Sequence, residues 1–136
     1  MEDQFLERLK RIVDETGARI VLSSDWRFDA PGGSDYIELF NALAEFDLEI
    51  ASMTGDYGWR GRGAEIYQWL YTYHNQYPDD LVQYVILDDL PRDEFFACQY
   101  SHFVHTNYLH GLQDEDVEKA IKILSLPGEV PPGEIA

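Results

Sequence analysis

The chain has 136 residues, 26 of them acidic and 10 basic, for a formal net charge of −16. That length leaves room for one domain of ordinary size, and the charge excludes a nucleic-acid backbone, itself a polyanion, as an obligate partner. An apolar share of 45% excludes wholesale disorder, while the acidic start Met1-Glu2-Asp3-Gln4 and the lack of any bilayer-length apolar run point to a soluble, cytoplasmic protein.

Phe5, Leu6, Leu9, Ile12 and Val13 recur at helical spacing and Gly17 is a natural stop, so the first element is a helix. Arg19-Ile20-Val21-Leu22 is a short apolar run ending at Ser23-Ser24, the pattern of a buried parallel strand. Pro31-Gly32-Gly33 marks a turn, Ser34 is a candidate N-cap, and Tyr36, Leu39, Phe40, Leu43 and Phe46 trace a second helix. Leu48 to Met53 is a weaker strand signal. Gly55, Gly58, Gly61 and Gly63 read as loop, after which Ile66, Trp69, Leu70 and Tyr73 share one helical face. Tyr84-Val85-Ile86-Leu87 is another apolar strand, running directly into Asp88-Asp89. Cys98, beside Phe95, Phe96 and Ala97, is expected to be a small buried hydrophobe in a reducing compartment. Phe103 to Thr106 suits a further strand. Val117, Ala120, Ile121 and Leu124 define a last helix, whose start is favoured by Asp114-Glu115-Asp116. The expected organisation is one α/β domain over residues 1–126, a parallel sheet wrapped by helices, and a flexible tail over residues 127–136. In such sheets ligands bind beyond the carboxyl ends of the strands.

Two polar clusters fall at those ends. With the glycine-rich stretch between them, the ordered pattern has three segments: Ile20-Val21-Leu22-Ser23-Ser24-Asp25-Trp26-Arg27, then Arg60-Gly61-Arg62-Gly63-Ala64-Glu65-Ile66, then Val85-Ile86-Leu87-Asp88-Asp89. The ordered set, with Gly111-Leu112-Gln113-Asp114 before the last helix, resembles the second, third and fourth motifs of the haloacid dehalogenase (HAD) superfamily, in particular its small domains found in RNA-repair proteins. The resemblance implies a three-layer, Rossmann-like α/β fold and phosphohydrolase chemistry. It implies that Ser23 or Ser24 holds phosphoryl oxygens, that Arg62, or less closely Arg60, screens the phosphoryl charge, and that Asp88 with Asp89 holds Mg2+. Arg27 joins Ser23, Ser24, Arg60 and Arg62 as a candidate phosphate contact. Phosphoryl transfer independently asks for these residue types: hydrogen-bond donors, a cation, and carboxylates for a hard metal.

The resemblance also implies an element this sequence does not show. The family's first motif is an apolar strand ending in Asp-x-Asp, the nucleophile and general acid, placed before the first helix and central in the sheet. Only Met1-Glu2-Asp3-Gln4 stands there. The expectations are therefore a fold without its first strand, a chain inactive by itself as a phosphatase, and a homodimer that makes good the sheet by strand exchange or edge pairing. The rival readings are a binding or assembly module, or a fragment of a Mg-dependent phosphatase acting on a nucleotide or RNA end; the ligand in each case is a small phosphate-containing molecule. The blander assignments stand beside these. Asp residues are common in turns, paired arginines are usually solvated, and Tyr67, Trp69, Tyr71, Tyr73 and Tyr77 suit helix packing. His102, His105 and His110 span a strand and a loop, which is poor zinc spacing.

Overall fold

The computed structural model describes residues 3–23, 34–55, 61–107 and 109–129. Four helices and four short strands follow one another along it, alternating up to β3: α1 (Asp3–Thr16), β1 (Ile20–Leu22), α2 (Ser34–Glu45), β2 (Ile50–Met53), α3 (Gly61–Gln76), β3 (Ile86–Asp88), β4 (Phe103–His105) and α4 (Asp114–Leu124). The class is α/β, as the alternation predicts. Among the described residues the strands form two separate parallel pairs, β1 with β2 and β3 with β4.

Local chemistry sets most boundaries. α1 ends where Gly17, at φ +72°, donates its N–H to the Val13 carbonyl at 2.8 Å, a left-handed cap that glycine adopts without steric cost. α2 ends with Asp47 at φ +56° and Leu48 N–H bonded back to Leu43, the six-to-one closure of a helix end. Before α4 the Asp116 carboxylate accepts the Gln113 N–H at 2.9 Å, and Leu112 is buried beneath it.

Three apolar clusters hold the elements. Leu6 of α1, Leu39 and Leu43 of α2, and Leu48 form the first, with Ile20, Leu22 and Ile50 of the β1–β2 pair against it. Ile12 of α1, Leu112, and Val117 and Ala120 of α4 form the second, which takes Val85 and Leu87. Ile66 and Leu70 of α3 meet Ile86 and Phe95 in the third, with Phe103 of β4 packed on it. Period-two alternation is visible in β3: Leu87 goes to the α1–α4 cluster and Ile86 to α3. In β2 the register slips after Ile50, and Ser52 accepts the Trp69 indole N–H from α3 at 3.0 Å. Exposed ion pairs, Arg8 with Asp114 and Arg11 with Glu118, join α1 to α4; such pairs contribute little beside the burial beneath them.

Several sequence expectations are revised. α3 begins at Gly61, so Gly61 to Gly63, read as loop, are its first turn. The reason lies in β3–β4 territory, where two 3₁₀ turns, Arg92–Glu94 and Ala97–His102, press against that turn. A Cβ at Gly63 would stand 2.7 Å from the Phe95 Cα and 2.9 Å from the Glu94 carbonyl. Cys98 is exposed, not buried. The 3₁₀ turn points Gln99 inward instead, fully buried, its amide donating to the Gly63 carbonyl and accepting from the Phe96 N–H, each at 2.9 Å. The β3 strand starts two residues later than its apolar run, because Tyr84 stacks on His102, with ring centroids 3.9 Å apart, and its carbonyl bonds the His102 Nδ1. Residues 127–129, expected as tail, are docked: Glu129 pairs with Val82 and the Pro127 carbonyl accepts from Gln83. Residues 130–136 lie outside the described residues.

Two stability outcomes follow from this packing. Alanine at Gly63 would gain about 1 kcal/mol of helix propensity, but overpacking against backbone costs about 1–3 kcal/mol, so Gly63→Ala is expected to lower the urea midpoint with unchanged slope. Burial raises the Tyr84 phenol above the usual tyrosine range. The stability this contributes is therefore complete below the unfolded value of about 10 and is lost as pH rises toward the folded value. Tyr84→Phe should flatten that alkaline loss in thermal melts above pH 10, and an unchanged slope there would assign the loss to other groups.

Candidate functional site

A cleft of about 1200 Å³ runs between β1 and β3. Residues 18–23 line one wall and residues 81–90 the other, with Phe5, Leu9 and Ile12 of α1 and Ile66, Trp69 and Leu70 of α3 closing its sides. Its trunk is apolar. Its polar end is where the strands finish, and Ser23, Thr54, Arg62, Asp88 and Asp89 all contribute to it.

The centre of that end is an ion pair. Arg62, on the first turn of α3, donates Nη1–H to Asp88 Oδ2 at 2.5 Å, and the side chains are only 11% and 7% exposed. The other carboxylate oxygen, Oδ1, accepts the Leu90 N–H at 3.0 Å. Asp88 is placed by β3, since its carbonyl accepts the Thr106 N–H beyond β4. Arg62 is placed by the contact of Gly63 with Phe95 that pulls α3 against the following turn. Two residues 26 apart in sequence thus meet because a glycine permits the approach.

The structure brings together Ser23, Arg62, Asp88 and Asp89 from the sequence reading. Ser24, Arg27 and Arg60 lie outside the described residues. Asp89 is exposed, and its carbonyl accepts from the His105 ring at 3.0 Å. The sequence reading passed over Thr54. It follows β2, donates its N–H to Leu22, and is 6% exposed with a hydroxyl that has no hydrogen-bond partner among the described residues. The signal was available, since a hydroxyl after an apolar run had singled out Ser23 by the same logic. The histidines disperse: His102 bonds Tyr84, His105 bonds Asp89, and His110 stands in an exposed turn.

The residues present do not fit a divalent cation as they stand. Such ions take carboxylate oxygens, several at once, whereas both oxygens of Asp88 are engaged, by a guanidinium and a backbone amide. Among the described residues no group of three His, Cys, Asp or Glu is placed to hold a metal. What the arrangement offers is a largely buried, charge-assisted pair in a cleft that Ser23 and Thr54 also line.

Breaking a buried pair leaves one charge without compensation, at about 3–5 kcal/mol, while replacing both partners with apolar groups is often neutral. Asp88→Ala is therefore expected to destabilise strongly, and Arg62→Met combined with Asp88→Leu to restore most of the loss in denaturant unfolding. Additive losses would show the pair to be energetically uncoupled.

No helix among the described residues is long and apolar enough to cross a membrane. No curated protein and no solved structure matches this sequence. Residues 1–117, which carry α1 to β4 and the whole Arg62–Asp88 site, match the family described as the HAD domain in Swiss Army Knife RNA repair proteins. With nearly all of its ordered elements inside that match, the chain belongs to this HAD domain family.

Proposed function

We propose that this chain is a HAD-like domain that recognises a small phosphate monoester at the carboxyl ends of its strands and, by itself, does not hydrolyse it. The observation that carries the reading is the Arg62–Asp88 pair in a cleft shared with Ser23 and Thr54. A phosphate needs donors and a cation, and these supply both. Covalent catalysis needs a carboxylate aligned with phosphorus and at liberty to attack. Asp88 is held by Arg62 and Leu90, and Asp3, the first acidic residue described, is exposed at the start of α1. The first is engaged, and the second does not line the cleft.

The ligand class follows from charge. A mononucleotide or sugar phosphate presents one phosphate to the cleft, whereas an RNA end also brings a backbone that a protein of charge −16 repels. Asp88 competes with the ligand for Arg62, so affinity is expected to be weak, about millimolar. Removing the competing charge should strengthen it.

The measurement is a phosphate titration followed by backbone chemical shifts. Changes are expected at Ser23, Thr54 and the first turn of α3, with affinity lost in Arg62→Met and gained about tenfold in Asp88→Asn, equivalent to about 1.4 kcal/mol. Tighter binding by Arg62→Met, or no response at these residues, contradicts the anion site. In parallel, hydrolysis of an aryl phosphate with Mg2+ should stay at background. A turnover on the order of 1 per second that vanishes in Asp88→Asn would show the chain to be an active phosphatase.

A further inference from the structure

The polar end of the cleft holds two neighbouring carboxylates in different states. Asp88 is paired with Arg62 and has both oxygens engaged. Asp89, the next residue, also lines the cleft, is exposed, and its carboxylate has no ion pair or hydrogen bond among the described residues. Its backbone is nonetheless fixed. The Asp89 carbonyl accepts from the His105 ring at 3.0 Å, the Asp88 carbonyl accepts from Thr106, and the Leu90 N–H is held by the Asp88 carboxylate. An uncompensated negative charge is thus held in place at the rim, in a protein whose formal net charge is already −16.

That charge sorts the parts of a bound ester. Phosphoryl oxygens are repelled by a carboxylate a few ångströms away, so the phosphate belongs on the Arg62 side of the cleft, with Ser23 and Thr54. Hydroxyl groups are attracted, because a carboxylate with open acceptor sites takes O–H donors in the strong, charge-assisted form. Adjacent hydroxyls can donate to its two oxygens together. Thr106, whose N–H reaches the Asp88 carbonyl, lines the cleft as well, and its hydroxyl has no partner among the described residues. A hydroxyl of this kind both donates and accepts. Consecutive Cα atoms stand about 3.8 Å apart, so a ring joined by one ester bond to a phosphate beside the Arg62–Asp88 pair reaches Asp89.

We propose that Asp89, with Thr106, binds the vicinal hydroxyls of a sugar phosphate whose phosphoryl group lies at Arg62, and so selects it over a deoxygenated ester. The inference rests on the phosphate reading of Arg62, Ser23 and Thr54, and adds the part of the ligand that phosphate alone does not specify. Thr54, only 6% exposed, is too deep to meet a ring at the rim. A divalent cation is the other ligand that an open carboxylate takes, but it draws on several such oxygens at once. Among the described residues no third acidic, histidine or cysteine ligand is placed with Asp88 and Asp89.

The test titrates the intact chain with inorganic phosphate, ribose 5-phosphate and 2-deoxyribose 5-phosphate, followed by backbone chemical shifts. The ribose ester is expected to bind about five- to tenfold more tightly than its 2-deoxy analogue, the size of one hydrogen bond at a solvated rim. Asp89→Ala should move two readings in opposite directions. Inorganic phosphate should bind about threefold more tightly, because a repelling charge is gone, while the preference for the ribose ester falls to about one. A merely structural role would weaken all the probes together, and an exposed side chain without bonds can be removed without loss of the fold. Thr106→Val keeps the backbone N–H and the shape, so it should lower the preference and leave inorganic phosphate unchanged. Equal binding of the two sugar esters by the unaltered chain, with inorganic phosphate still bound at Ser23 and Arg62, overturns this inference and leaves the phosphate reading standing. No response to any probe overturns both. Mg2+ alone, if it shifts the Asp89 signal at millimolar concentration and abolishes the preference, also overturns the inference, since the carboxylate then serves a cation.

Discussion

Because β1 and β3 belong to separate strand pairs, no backbone ladder among the described residues joins the halves, and the domain depends on helices that reach across. α1 is the chief of these. Its Phe5 and Leu9 pack against both the β1–β2 cluster and the α4 cluster, so one helix face is shared between two cores. Removing apolar area there weakens both at once, at about 25 cal/mol per Å² on each side. α3 is the second bridge, meeting Ile86 of β3 through Ile66 and Leu70 and Ser52 of β2 through Trp69. Every other element can be placed relative to these two helices.

The second bridge is also where packing and chemistry meet. Arg62 enters the cleft only because Gly63 lets the first turn of α3 lie against Phe95, and Gln99 fastens that approach through its bond to the Gly63 carbonyl. A buried glutamine with both ends of its amide satisfied specifies one geometry, since any shift leaves a donor or acceptor unpaired at about 1–3 kcal/mol. The ion pair inherits that rigidity. A surface pair with the same charges would wander among rotamers and contribute little; this one holds its position because the backbone around it is fixed from both sides.

Much of this was legible in the sequence. Helical spacing located all four helices, since amphipathic faces and capping residues are local signals. The short strands were found from apolar runs ending in hydroxyls or acids, and the same runs located Ser23 and Asp88 at the cleft. What was not legible depends on contacts distant in sequence. Glycine at 61 and 63 reads as loop until Phe95 is known to sit where a Cβ would go. Cys98 is exposed where burial was expected, and Gln99 is buried beside it, because a 3₁₀ turn, whose period differs from that of helix or strand, leaves no hydrophobic pattern to read. The engagement of Asp88 by Arg62 could not be read either, since a motif records which residues are present and not which of them satisfy one another. The docking of residues 127–129 on Val82 was hidden by the prolines, which permit an edge bridge as well as a loop.

The two halves of the cleft are mechanically adjacent. Leu87, which lines the apolar trunk, is bonded directly to Asp88, whose side chain holds Arg62. On the other wall Val21 is two residues from Ser23. The apolar and polar parts of the cleft are therefore separated by only one or two peptide units on each wall. On the proposed reading the polar end begins with a competitor in place, because Asp88 already holds Arg62. Asp88 is tied at once to β4 through its carbonyl and to α3 through its carboxylate, so the pair's geometry is fixed by both neighbours of β3.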